Sequence, residues 1–149
     1  MTHIIQWNIR GVFANLEELQ LLCREHQPAV LALQETLLKP EKDFSLSGYN
    51  FVGKAVDQTE HGTSGGVGLL VEKSLLYSPV ILDTSLQAVA VRVTLHKTIT
   101  ICSVYLSPSI QVRRNDLLSL IEQLPKPFLL LGSFSTLGKR EFIGEGSPA

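Results

Sequence analysis

The feature that most constrains this chain is the run Ala29-Val30-Leu31-Ala32-Leu33, which passes without interruption into Gln34-Glu35-Thr36. An uninterrupted apolar run has no polar face, so an extended segment here needs cover on both sides, as a central strand of a layered α/β domain has. The polar residues that follow must then emerge at the end of that strand. Upstream, His3 to Trp7 is β-rich and stops at Asn8-Ile9-Arg10-Gly11, where glycine allows a sharp turn. Between these runs, Asn15 is placed to cap a helix over Leu16 to Glu25, with Glu18 reaching back to it. Leu16, Leu19, Leu22 and Cys23 form one apolar stripe on that helix, and Pro28 marks its end. The opening is βαβ-like and points to an α/β domain.

Further along, Tyr49 to Gly53 and Val67 to Val71 read as a hairpin-like pair of strands, separated by a polar, glycine-rich loop from Asp57 to Gly66. Val89, Val91, Val93 and Leu95 alternate with Ala90, Arg92 and Thr94, the period-two signature of a strand. A second run follows at Thr98 to Leu106, with His96-Lys97 as the tight turn between them. Pro108 and Ser109 open a helical pattern with Val112, Leu117, Leu120, Ile121 and Leu124 on one face, closed by Pro125 and Pro127. A last strand is expected at Phe128 to Leu131, then a turn at Gly132. There is no internal repeat or linker, so one domain over residues 1–135 is expected, followed by an irregular tail at 136–149. A layered domain that stops just after a buried strand exposes apolar surface unless something else covers it.

A chain of 149 residues that is 44% hydrophobic and 18% charged has the composition of one soluble globular domain. Its longest apolar runs, Ala29 to Leu33 and Phe128 to Leu131, fall far below the roughly 20 residues that cross a bilayer. No membrane partner is expected. The N-terminus has no basic start followed by a long apolar stretch, so the expected location is intracellular, nuclear or cytoplasmic. Cys23 and Cys102 lack CxxC spacing and read as buried free thiols. His3, His26, His61 and His96 are scattered without ligand spacing. The net charge of −1, from 13 basic and 14 acidic side chains, lacks a strongly basic footprint, so any nucleic-acid contact must be local.

The chemistry gathers where apolar strand-like runs end, at Asn8, Glu35, Tyr105 and the Gly132 turn, the edge at which open α/β sheets bind ligands. A carboxylate at the end of an apolar strand needs a partner, and a hard divalent cation with oxygen ligands is a natural one for Glu35. Asn8 offers a second oxygen at an equivalent strand end. The alternatives are an ordinary strand-end acid facing water at Glu35 and a half-buried strand aromatic at Tyr105. Arg10, Lys54 and the Arg113-Arg114 pair can meet a nucleic-acid backbone or simply be solvated. The stretch Gly62 to Gly68 precedes a β-rich run instead of opening a helix, so it reads as a turn beside this edge and not as a dinucleotide-binding loop.

The segments Ile5-Gln6-Trp7-Asn8-Ile9-Arg10-Gly11, Leu33-Gln34-Glu35-Thr36, Ser64-Gly65-Gly66-Val67-Gly68, Ser103-Val104-Tyr105-Leu106-Ser107-Pro108 and Leu130-Leu131-Gly132-Ser133-Phe134-Ser135 follow one another as family motifs do. In that order they resemble the first part of the endonuclease/exonuclease/phosphatase domain, in the form carried by non-LTR retrotransposons. The resemblance implies an incomplete four-layer, DNase I-like α/β sandwich, two β-sheets flanked by helices, that nicks DNA with Mg²⁺ or Mn²⁺. By position, Asn8 matches the active-site asparagine, Glu35 the metal-binding glutamate and Tyr105 the tyrosine near the scissile phosphate. Asn8 is thereby also a candidate metal ligand, and Asn8, Arg10 and Tyr105 are candidate substrate contacts.

The departures carry equal weight. The family's glycine-aspartate-phenylalanine-asparagine motif stands here as Gly132-Ser133-Phe134-Ser135. Serine at 133 brings no carboxylate to orient water or metal, and serine at 135 has no amide for the phosphate. The tail after residue 135 contains no aspartate or histidine, so the family's base has no counterpart there. The resemblance with these losses implies a truncated, inactive endonuclease domain. A non-catalytic nucleic-acid-binding remnant and a Mg²⁺-dependent phosphatase of the same family stay open beside it, and nothing in the sequence speaks to oligomeric state.

Overall fold

A computed structural model describes residues 2–55, 57–59, 62–106, 113–134 and 142–144. Among the described residues, eleven strands and two helices follow in the order β1 (Ile4–Asn8), α1 (Leu16–His26), β2 (Val30–Gln34), β3 (Tyr49–Lys54), β4 (Asp57–Thr59), β5 (Gly62–Ser64), β6 (Val67–Glu72), β7 (Tyr77–Val80), β8 (Gln87–Thr94), β9 (Thr98–Leu106), α2 (Arg114–Gln123), β10 (Phe128–Phe134) and β11 (Phe142–Gly144). One sheet has the order β1-β2-β6-β3 and a second the order β11-β10-β9-β8-β7, while β4 and β5 pair with each other.

Each main sheet contains one parallel pair joined by a helix. β1 lies parallel to β2 through α1, with Asn8 opposite Gln34. β9 lies parallel to β10 through α2, with Tyr105 opposite Ser133. Parallel neighbours need such a crossover, and the helices cover the outer faces of the two sheets. Leu19, Leu31, Leu33 and Leu70 pack on the α1 side, joined by the partly buried Leu16, Leu22 and Cys23 of the expected stripe. Leu120 and Leu124 pack with Ala90, Cys102, Val104 and Leu130 on the α2 side, with Leu117 and Ile121 against them. Between the sheets lie Val30, Ala32, Leu69 and Val71 from one and Val91, Val93, Ile101 and Leu131 from the other. The chain is therefore an α-β-β-α sandwich, and the strand run Ala29 to Leu33 is central and covered on both faces, as its composition requires.

Several expectations need correction. Asn15 makes no side-chain cap on α1. Its Nδ2 instead donates to the carbonyls of Ile9, at 2.8 Å, and Gly11, at 3.3 Å, so it closes the turn after β1. The loop expected from Asp57 to Gly66 contains the short antiparallel pair β4 and β5, with Asp57 opposite Ser64. β7 was not foreseen. It is an edge strand containing Pro79, a position where the missing N–H is tolerated. The turn expected at Gly132 is not there, because pairing with β9 keeps the chain extended through Gly132, Ser133 and Phe134. The tail expected to be irregular contains β11, whose register with β10 pairs Phe128 with Gly144 and completes an otherwise open strand edge. The helix start expected at Pro108 and Ser109, and Val112 with it, lies outside the described residues. Among the described residues no helix is long and apolar enough to cross a membrane.

Candidate active site

The C-terminal ends of β1, β2, β9 and β10 lie at one edge of the sandwich, where β6 and β8, running the other way, begin. Beyond the strands the backbone continues to pair. Ile9 N donates to Gln34 O at 3.0 Å, Gly11 N to Glu35 O at 2.8 Å and Val12 N to Thr36 O at 3.0 Å. On the other side, Thr36 N donates to Gly66 O and Leu37 N to Gly65 O, both at 3.1 Å. The Glu35-Thr36-Leu37 segment is thus held between two loops. Arg10, Glu35 and Leu37 are non-glycine residues in the left-handed region, at φ of 52°, 52° and 56°. Each such residue costs about 1–3 kcal/mol and persists where its surroundings over-determine it, a pattern found at functional sites. Here the flanking hydrogen bonds supply that constraint.

Glu35 turns its side chain to the other sheet. The Tyr105 hydroxyl donates to Glu35 Oε1 at 3.2 Å, and Arg10 Nε lies 4.0 Å from Oε2. The Glu35 side chain is 24% exposed and that of Arg10 83%, so the carboxylate is recessed and the guanidinium stands in water. An ion pair of this length at such exposure contributes well under 1 kcal/mol. The structure therefore brings Asn8, Arg10, Glu35 and Tyr105 to one edge, and puts the backbone of Ser133 beside Tyr105. Ser135 lies outside the described residues. Lys54 ends β3 at the same edge, but its Nζ donates to Leu86 O at 2.9 Å.

Beneath the edge runs a buried polar chain that sequence reasoning did not assign. Gln6 Nε2 donates to Gln34 Oε1 at 2.8 Å, Gln34 Nε2 to Ser103 Oγ at 3.0 Å, and Ser103 Oγ to Leu33 O at 2.9 Å. It joins the two sheets directly under Glu35 and Tyr105. Gln87, the first residue of β8, is also buried, and its Oε1 accepts from Gly66 N at 2.8 Å. One signal for it was readable, because Gln87 shares the inward parity of Val89, Val91 and Val93 and so places an amide where an apolar side chain is expected.

These residues could serve as oxygen ligands to a divalent cation shared with water and substrate. Mg²⁺ is held by one or two carboxylates together with waters and substrate phosphates, not by a full protein cage. A recessed Glu35 with one neutral hydrogen bond retains lone pairs for such an ion, and Asn8 stands on the adjacent strand end. Among the described residues no group of three or more His, Cys, Asp or Glu could hold a metal by itself.

Comparison with known proteins agrees with this architecture. Residues 5–136 match the Endonuclease/Exonuclease/phosphatase family. The chain is 28% identical over 135 residues to a protein described as the probable RNA-directed DNA polymerase from transposon X-element of Drosophila melanogaster, covering 89% of this chain and 15% of that protein. Among solved structures it is similar to the endonuclease domain of TRAS1, a telomere-specific non-LTR retrotransposon, with a TM-score of 0.63 and 18% identity over 91% of this chain and 62% of that one. It is also similar to the AP endonuclease LMAP from Leishmania major, with a TM-score of 0.68 and 17% identity over 88% of this chain and 54% of that one. The chain thus spans somewhat more than half the length of these structures and about one-seventh of the curated relative.

Proposed function

Because the chain belongs to the Endonuclease/Exonuclease/phosphatase family, we propose that it is the first part of a retrotransposon-type, metal-dependent endonuclease domain that binds DNA but does not turn over. Glu35, with Asn8, holds Mg²⁺ or Mn²⁺, which when bound supplies charge stabilisation to a phosphodiester and its departing oxygen. Tyr105 donates its phenolic hydrogen to a phosphate oxygen, or to Glu35 when no phosphate is there. Arg10, exposed beside Glu35, meets the neighbouring backbone phosphate. The electrostatic half of the chemistry is therefore provided for.

The observation that carries the loss of turnover is Ser133, in register with Tyr105 at the end of β10, where the family motif has aspartate. A hydroxyl there neither accepts a proton from water at neutral pH nor orients it as a carboxylate does. Loss of general acid-base function costs roughly 10²- to 10⁴-fold in rate. The retained pair of Glu35 and Tyr105 at the strand ends favours binding without cleavage over a loss of all function.

Nicking of supercoiled plasmid by the purified chain in Mg²⁺ or Mn²⁺, beside Glu35→Ala, tests the proposal. The expected result is equal, background nicking by both folded proteins, with DNA binding weaker in the variant. Metal-dependent nicking that disappears in Glu35→Ala overturns the inactivity and retains the endonuclease.

A further inference from the structure

We infer that Gln87 is a positioning residue, a tie from the second sheet that holds the Glu35 loop of the first sheet against Tyr105. The tie is a property of the fold, whereas its bearing on phosphodiester chemistry rests on the function proposed above. Glu35 and Tyr105 belong to different sheets, so the geometry between them depends on how the sheets are fixed at this edge. Gln87 is opposite Tyr105 on β8, and Gln87 Oε1 accepts from Gly66 N at 2.8 Å. Gly66 O in turn accepts from Thr36 N, and Gly65 O from Leu37 N, both at 3.1 Å. The residue between these bonds and the end of β2 is Glu35, in its left-handed conformation. A continuous chain of hydrogen bonds therefore leads from the strand position beside Tyr105 to the backbone that aims Glu35.

Two further observations agree. Gln87 is only 8% exposed, and its Nε2 is buried with no hydrogen-bond partner among the described residues. An amide kept in an apolar position with one end unsatisfied is costly, so its satisfied end has a use that an apolar side chain would not serve. The loop is also built to receive it. Gly65 is at φ +89°, and a Cβ there would stand 3.2 Å from Gln87 Oε1 and 3.4 Å from the Tyr105 ring.

The test is amide hydrogen exchange by NMR on the full chain, comparing the native protein with Gln87→Met, Gln87→Asn and Gln87→Glu. Methionine keeps the volume and removes both the bond and the orphan donor, so global stability should change little. Gly66, Thr36 and Leu37 amides should exchange about tenfold faster, the loss of one net hydrogen bond. Leu69 and Val71 amides should be unchanged, and the Tyr105 ring resonances should move as they do in Glu35→Ala. Asparagine, too short to reach Gly66, should reproduce the loss. Glutamate, which keeps an acceptor at the same reach, should restore protection. Unchanged loop amides, a uniform loss of protection across the core, or an unmoved Tyr105 would each overturn the inference. No metal or DNA is needed, so this result is independent of the nicking assay.

Discussion

The Tyr105 hydroxyl donates to Glu35 Oε1 at 3.2 Å, a side-chain contact between residues 70 apart in sequence that joins the ends of two strands in different sheets. Glu35 is partly exposed at the rim and can also reach water, whereas Tyr105 is buried. Their pairing is therefore a consequence of where the sheets put them, and it makes the contact measurable.

Tyr105→Phe should lower unfolding stability by about 1.5–3 kcal/mol, the net worth of a hydrogen bond to a charged group. Glu35→Ala, which removes the acceptor, should cost a similar amount, and the double variant should lose less than the sum because the two groups share one interaction. Urea unfolding of the four proteins measures this. Strict additivity would show that the two side chains do not interact in solution.

Restoring the carboxylate should restore some chemistry. Ser133→Asp combined with Ser135→Asn is expected to raise metal-dependent plasmid nicking by about tenfold to a hundredfold over the native chain, part of the roughly 10²- to 10⁴-fold that general acid-base groups contribute. The gain should vanish when Glu35→Ala is added. A folded double variant with no gain would mean that the two serines are not what stops turnover.

Gly53 and Gly68 lie opposite each other on β3 and β6, and the Phe51 ring lies across both. A Cβ at Gly53 would come within 2.6 Å of the ring, so alanine at either position must push Phe51 aside. That ring cannot move freely, being packed edge-on to Phe44 at 5.0 Å, with Phe44 in turn 6.1 Å from Phe13. Gly68→Ala should destabilise by about 1–3 kcal/mol, the usual cost of overpacking. In a Phe51→Ala background the same change should become nearly neutral, and an undiminished cost there would rule out the ring as its cause.

Alkali should unfold the chain from inside. Burial pushes the Cys102 thiol up to about 12 from its ordinary 9.0, and raises Cys23 and Tyr49 as well. Because these groups lose protons more readily when unfolded, their contribution is fully present below about pH 9 and falls as pH rises toward 12. The urea midpoint should thus be level, as far as these groups are concerned, from pH 7 to 9 and drop beyond. Cys102→Ala should flatten that drop, and an unchanged slope in the variant would exclude the thiol as its origin.

The sequence by itself determined the layers. The central strand before Gln34, the α1 stripe of Leu16, Leu19, Leu22 and Cys23, and the strand from Thr98 to Leu106 are all recorded in periodicities that need only neighbours a few residues apart. The ordered motifs also placed Asn8, Glu35 and Tyr105 at strand ends. What only the tertiary structure decided is how those ends meet. Asn15 was read as a helix cap from its local context, yet its amide found better acceptors in the turn after β1. The residues after Leu131 carry no strand period and so suggest a turn at Gly132, whereas the register with β9 holds them extended. The parity of Gln87 with Val89, Val91 and Val93 marks it as a polar residue on an apolar face, but does not say what it bonds to. Its role comes from Gly66, 21 residues away in the loop that leads into the other sheet. Contacts between sheets depend on the summed packing of the whole core, and no window of neighbouring residues contains that information.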